Sequence, residues 1–403
     1  MQYATADPTN YSPSSILGHN TPLLNFIISP TPGMKIRQGS LMLNGKLKCV
    51  DSTGNLIDDD AEVSFDPSTG VYGLIDSLTI KNSNNNSLET IKSYNRFMAS
   101  YLKQSLNVGD FATAYSTFAN TTSNFYSISE TIIDRETSFS IPLFSGLLLS
   151  QDYLLDPSKC NGCNIEIMLS SDANFFFDTG SKTNATGCKY ELRDVQLSYQ
   201  LDPMTKVDMG MPMVVYNSIV SHHTTLDSNY NTINFRVGEP MVQSFFINVV
   251  DQSAANNTAL NSLSTDAIKD ANPDATKVVT DTINRVEILK AGMKTPLKFN
   301  LNANGATGSI LGTDLYRNFY DSFRPFSAAG NNVRNVVNTP KNINATKVDL
   351  GPSFGIGCAY NNVSMQGENF MNDQFGLIIH KDSLFPKPYS VNVFFKVSKV
   401  LNF

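Results

Sequence analysis

Tryptophan is absent from this 403-residue chain, histidine occurs only four times, and charged residues make up only 16%. Globular proteins usually carry a charged share of about one quarter. Four histidines leave little imidazole for general acid–base work, although carboxylate pairs gathered by folding stay open. Lys and Arg number 30 against 36 Asp and Glu, and no basic run stands out. Proteins that neutralise many phosphates need a basic face. With a net charge of −6, direct sequence-specific nucleic-acid binding is not expected unless folding assembles a basic patch from distant residues. No stretch approaches the roughly 20 apolar residues of a membrane span. Residues 1–15 lack the basic and apolar regions of a signal peptide, so synthesis inside a cell without secretion is expected. Five cysteines, an odd number, fit a reducing compartment better than a disulfide framework. Sequons begin at Asn10, Asn85, Asn120, Asn184, Asn256, Asn344 and Asn362. Without a secretory route they reflect abundant Asn and Thr rather than glycosylation.

What is present is material for β-structure. The chain holds 25 Phe and 16 Tyr, ample for a core, and Asn, Ser and Thr replace the missing charge on polar strand faces and in turns. At about 150 residues per domain, the length suggests two or three domains.

The first twenty residues are polar and read as a flexible N-terminal arm. The apolar segment Leu23 to Ile28 follows, closed by the turn signal Pro30-Thr31-Pro32-Gly33. Within Ser40 to Val50, Asn44-Gly45 marks either a tight hairpin or a bulge inside one long strand. Later segments alternate with period 2, as half-buried strands do. Phe139, Ile141 and Leu143 form one such set; Ile165, Ile167 and Leu169 form another. Val195, Leu197, Tyr199 and Leu201 alternate most clearly. Phe245, Ile247 and Val249 face one way, but Phe246 and Val250 make the other face apolar too. Val391, Val393, Phe395 and Val397 complete the pattern. One long strand ends near Leu201 and another near the last residue, so two halves of about 200 residues are expected. Their bounds are residues 21–205 and 206–403, with residues 1–20 as the arm.

Helices are few. Leu88, Ile91, Met98, Tyr101 and Leu102 recur at helical spacing, with Ser87 as cap and Glu89 in the first turn. Thr258 to Ala271 and Thr313 to Phe323 are further helical candidates. Helices inserted in a β-rich chain point to elaborated sandwiches rather than βαβ units.

Motifs that carry chemistry are scarce. Gly351-Pro352-Ser353-Phe354-Gly355 matches a hydrolase elbow, but no helix follows it and His380 lies close downstream, so a loop is expected. Cys160-Asn161-Gly162-Cys163, which Cys188 could join, has metal or redox spacing without a second pair or a nearby His. It reads as a turn holding two thiols, or as a disulfide. His222-His223 would point to opposite faces of a strand and chelate poorly. Asp58-Asp59-Asp60 with Glu62 lacks the ligand spacing of a calcium loop and reads as a solvated acidic segment. No catalytic residue, cofactor site or metal site is assigned.

The order of several segments resembles the double jelly-roll major capsid proteins of polinton-like viruses, virophages and related double-stranded DNA viruses. Leu24-Asn25-Phe26-Ile27-Ile28 leads to Ser40-Leu41-Met42-Leu43-Asn44-Gly45, then Leu74-Ile75-Asp76-Ser77-Leu78-Thr79-Ile80. A polar turn and a helix with Ile91, Tyr94, Arg96 and Phe97 follow. Ser140-Ile141-Pro142-Leu143 and the closing strand Tyr190-Glu191-Leu192-Arg193-Asp194-Val195-Gln196-Leu197 complete the first half. The second half matches in length, strand ends and an inserted helix.

The resemblance implies an all-β protein of two tandem eight-stranded antiparallel jelly-roll sandwiches with a few inserted helices. It implies a non-enzymatic major capsid protein of the virion. Its partners would be two further copies in a homotrimer, neighbouring capsomers, and minor capsid and penton proteins. The arm at residues 1–20 would interlock neighbours, and the polar insertion Ser253 to Thr280 would form an outer loop or a subunit contact. Two other readings stay open. One is a carbohydrate- or receptor-binding β-sandwich, for which Phe175-Phe176-Phe177 is the nearest aromatic platform. The other is a sandwich hydrolase with two carboxylates across a cleft.

Overall fold

The computed structural model describes residues 2–12, 15–18, 20–55, 63–65, 69–105, 136–148, 156, 160–172, 176–178, 187–206, 213–226, 232–251, 283–300, 322, 356–360, 367–381 and 388–402. The chain divides into two compact units. The first comprises Met1–Asn95, Gly109–Ile219 and Lys399–Phe403, and the second comprises Arg96–Val108 and Val220–Ser398.

In chain order the elements begin with β1 (Gln2–Ala6), β2 (Leu23–Ile28), β3 (Met34–Ile36), β4 (Met42–Val50) and β5 (Val63–Phe65). A 3-10 turn at Gly70–Leu74 precedes β6 (Ile75–Asn82), β7 (Ser87–Lys92) and the helix α1 (Tyr94–Ser105). Next come β8 (Glu136–Pro142), β9 (Cys163–Leu169), β10 (Phe176–Asp178) and β11 (Lys189–Pro203). The chain continues through β12 (Met213–Leu226), β13 (Thr232–Arg236), β14 (Val242–Asp251), β15 (Ile283–Lys290) and β16 (Met293–Asn300). It finishes with β17 (Ile356–Ala359), β18 (Gln374–Lys381) and β19 (Tyr389–Asn402).

In the first unit one sheet runs β1-β11-β4-β8, with β3 also on β11, and another contains the order β7-β6-β9-β2. Alternation decides which side chains enter the core. Val195, Leu197, Tyr199 and Leu201 are buried along β11, while Gln196, Ser198 and Gln200 between them are half-buried. The inward residues of β2, β6 and β9 (Phe26, Leu78, Ile80, Ile165 and Ile167) are fully buried. Burial of such side chains contributes about 1.5–3 kcal/mol each, which makes the alternation a strong constraint on register.

Asn44-Gly45 belongs to one continuous strand, not a hairpin. The bulge lies opposite, on β11, where pairing jumps between Arg193 and Gln196 and Asp194 takes φ 51°. A Cβ at Gly45 would come within 2.8 Å of the Phe139 ring, so the strand needs glycine where the bulge presses it.

Two expectations from the sequence are corrected. Gln2–Ala6, placed in a flexible arm, form β1 and pair with β11 from Gln2↔Leu201 to Ala6↔Leu197. Backbone hydrogen bonding to a ready sheet edge orders these residues despite their polarity. Ser87–Lys92, placed in the first turn of a helix, form β7 instead, and α1 begins only at Tyr94. The reason is the Asn-rich turn before it. Asn82 Oδ1 accepts from the backbone N–H groups of Asn84 and Asn86, and Asn85 takes φ 61°. That turn folds β7 back on β6, with Leu78 opposite Ile91. The helical candidates Thr258 to Ala271 and, but for Ser322, Thr313 to Phe323 lie outside the described residues, as does the insertion Ser253 to Thr280.

In the second unit the sheets run β17-β14-β19 and β13-β18-β15-β16. Their facing sides meet in an aromatic core. Phe375 of β18 lies 5.0 Å from Phe245 of β14 and 5.1 Å from Phe395 of β19 between ring centres, both edge-to-face. The double apolarity of Phe245-Phe246 has a cause as well. Phe246 and Phe394 face away from that core, and Phe97 of α1 packs on them at 5.8 and 5.5 Å.

Candidate functional site

Among the described residues singled out for chemistry, only Cys160 and Cys163 are neighbours. Gly351 to Gly355, Asp58 to Asp60, Glu62 and Phe175 lie outside the described residues. Phe176 and Phe177 sit on β10, paired with β5. His380 is on β18, opposite Arg285. His222 stacks on the Phe235 ring at 4.2 Å, whereas His223 Nδ1 meets Asn392 Oδ1 at 2.9 Å. Their different partners agree with opposite faces of a strand, and each ring is used in packing or hydrogen bonding. Among the described residues no group of three His, Cys, Asp or Glu could hold a metal ion.

The cysteines sort differently from their sequence spacing. Cys160 and Cys163 neighbour each other around a turn in which Asn161 and Gly162 take φ 52° and 95°. Burial, with Cys160 nearby, pushes the Cys163 thiol up to about 12. Cys188 is instead hydrogen bonded to Cys49, a residue the sequence reading leaves aside. No spacing rule joins positions 49 and 188; only the pairing of β4 with β11 does.

Glu89 is the other residue that sequence reasoning misplaces. It is 2% exposed, although the pattern puts it on an open helix turn. Its Oε1 accepts from the N–H groups of Gly146 at 3.0 Å and Ile219 at 2.5 Å, and its Oε2 from Leu147 at 3.0 Å. Burial raises this carboxyl above its ordinary range, and the donated hydrogen bonds pull the other way. Gly146 lets the 144–148 segment approach β12, since a Cβ there would meet Asn217 O at 2.7 Å. One side chain thus fixes β7, that segment and the start of β12. The arrangement positions backbone; it offers no open face to a substrate.

Exposed apolar side chains and an ion-pair cluster mark the surface. Leu23 and Met168 face each other across β2 and β9, and Ile27 lies on the same outer side. All three are exposed, at 39%, 42% and 50%. In the second unit Lys290 bridges Glu368 and Asp373 and stands 5.2 Å from the Phe370 ring centre. No described helix is long and apolar enough to cross a membrane.

Two packed antiparallel sheets in each unit, with long strands and an inserted helix, define the double jelly-roll class. No model of a known protein family matches the chain, and no curated protein matches it either. Solved structures do match over its whole length. The Faustovirus major capsid protein superposes with a TM-score of 0.61 at 8% identity, covering 100% of this chain and 90% of that one. VP54 of PBCV-1, fitted into a reconstruction of the virophage Sputnik, gives 0.55 at 9% identity, with 99% and 94% covered. The Sputnik virophage structure gives 0.51 at 9% identity, with 100% and 86% covered. The chain therefore has the double jelly-roll fold of the major capsid proteins of double-stranded DNA viruses.

Proposed function

We propose that this chain is a major capsid protein that assembles as a homotrimer, the pseudo-hexameric capsomer of an icosahedral double-stranded DNA virus. The observation that carries the reading is coverage. The likeness to the Faustovirus protein takes in all of this chain and 90% of that one, so it extends over both halves of the chain. At 8% identity the likeness alone speaks for fold. The step to assembly rests on that fold and on the capsid role of the proteins that share it.

In this reading residues 21–205 and 206–403 form the two jelly rolls, and three copies present six of them in a near-hexagonal outline. Such a plate tiles a closed shell against neighbouring capsomers, with penton and minor capsid proteins at the vertices. The protein is a virion component without enzymatic activity, and residues 1–20 contact neighbours as well as completing their own sheet.

Electron microscopy and native mass measurement of the purified protein test this. Hexagonal plates with threefold symmetry are expected, of about 133 kDa for three copies of 44.3 kDa. Particles that stay monomeric and retain a defined glycan would overturn the reading in favour of a carbohydrate-binding sandwich.

A further inference from the structure

Cys49 lies near the end of β4, and Cys188 stands one residue before β11. In the antiparallel register Tyr190 is opposite Cys49, and Cys188 is two residues from Tyr190. Period-2 alternation therefore puts the Cys49 and Cys188 side chains on the same face of the sheet. Both are buried, 4% and 7% exposed, and the two thiols are hydrogen bonded to each other. All five cysteines are free thiols. Next to this pair, Asp172 is occupied by the N–H of Tyr190, which donates to its Oδ1 at 3.1 Å.

We propose that Cys49 and Cys188 form a redox clasp, closed to a disulfide by a small disulfide oxidant such as glutathione disulfide. The Cys188 thiolate, beside exposed Gly187, attacks one sulfur of the oxidant and releases one glutathione. Cys49 then attacks the Cys188 sulfur of the mixed disulfide and expels the second glutathione. One S–S bond is broken and one formed, and the two cysteine protons end on the two glutathione thiols. The clasp ties off the 138 residues from Val50 to Gly187, which span most of the first unit. A bridge between Cys160 and Cys163 would constrain only its own turn. Burial and the neighbouring sulfur and carboxylate hold the Cys49 thiol well above its ordinary value, so closure is slow at neutral pH and faster as pH rises.

The chemistry does not depend on the capsid reading. Only its timing does, with closure after the particle leaves a reducing cell.

Trypsin provides a clean readout, because Cys49 falls in peptide 49–81, Cys160 and Cys163 share 160–182, and Cys188 falls in 183–189. Native full-length protein is held at pH 8.5 with glutathione disulfide, then alkylated, digested and analysed by mass spectrometry. The expected product is peptide 49–81 joined to 183–189, two hydrogens lighter than the separate peptides. Unfolding of the oxidised protein in urea should be about tenfold slower than after reduction, as for a disulfide closing a long loop. The Cys188→Ser variant should show no such difference. Persistent free Cys49 and Cys188, or either one joined to 160–182, would overturn the proposal. So would equal unfolding rates of oxidised and reduced wild-type protein, a comparison that needs no variant to fold. Trimers lacking the cross-link would sink the clasp alone, and cross-linked monomers that retain a defined glycan would sink the capsid reading alone.

Discussion

In the first unit, tyrosine hydroxyls and a carboxylate reach across the interior to backbone groups. Tyr72 donates to Pro142 O at 2.8 Å, Tyr190 to Ser170 O at 2.5 Å, and Tyr94 accepts from Phe144 N at 2.8 Å. Glu89 accepts from three amides at once. In the second unit, Phe235, Phe245, Phe375 and Phe395 fill the space between the sheets with rings about 5–6 Å apart. The difference lies in what each core specifies. A buried hydrogen bond is satisfied by one arrangement and costly in others, so it fixes which segments meet. Ring packing rewards volume and tolerates repacking, so it supplies stability with looser geometric demands.

The largest expected effect tests the polar side of this contrast. Glu89→Ala strands three buried N–H groups and leaves a cavity, and should cost about 3–5 kcal/mol in urea unfolding. A loss below about 1 kcal/mol would mean that water readily replaces the carboxylate, and the contrast between the cores would fail. Next comes Phe375→Leu, which keeps much of the volume and should cost about 1–2 kcal/mol. A loss matching that of Glu89→Ala would show that edge-to-face geometry is as demanding as the hydrogen bonds.

The smallest effect concerns a lysine on the face of β19 turned away from those rings. Lys396 stands opposite Ser244 in the pairing of β19 with β14, and burial pushes its ammonium down to about 7. Between that value and the ordinary 10.5, the unfolded chain holds a proton that the folded chain has released. Stability therefore rises with pH across this window and is flat below it. Lys396→Met should remove the slope and stabilise the protein by about 1 kcal/mol at pH 6, a modest figure because the side chain is only partly shielded from solvent. Urea midpoints of both proteins from pH 6 to 10 would decide this. A parallel slope in the variant would assign the dependence to another group.

The strands that alternate cleanly were legible from sequence because one buried face imposes period 2. The inward residues of β8, β9 and β11 are those the pattern names, whereas β19 is buried on both faces, Asn392 and Phe394 included. Ser87–Lys92 was not legible, since Leu88 and Ile91 are three apart and six residues cannot separate a helical stripe from a short strand. The signal that would have decided it was the Asn84-Asn85-Asn86 turn, which favours a hairpin. The separation of His222 and His223 onto opposite faces of a strand was legible from period 2 as well. Cys49 and Glu89 could not be found that way. Their partners lie 139 and up to 130 residues away, and only the register of distant strands brings them together.

The pairing of β1 with β11 also sets an order of events in time. Gln2 leaves the ribosome about 200 residues before its partner Leu201 is made. At about 5–20 residues per second, the opening strand waits roughly 10–40 s before the edge it completes exists. Closing that sheet is a late and highly non-local step, of the kind that slows folding and exposes an unpaired strand meanwhile. A nascent chain of this protein therefore has a vulnerable interval that its finished form conceals, and chaperones would meet it with β1 still unplaced.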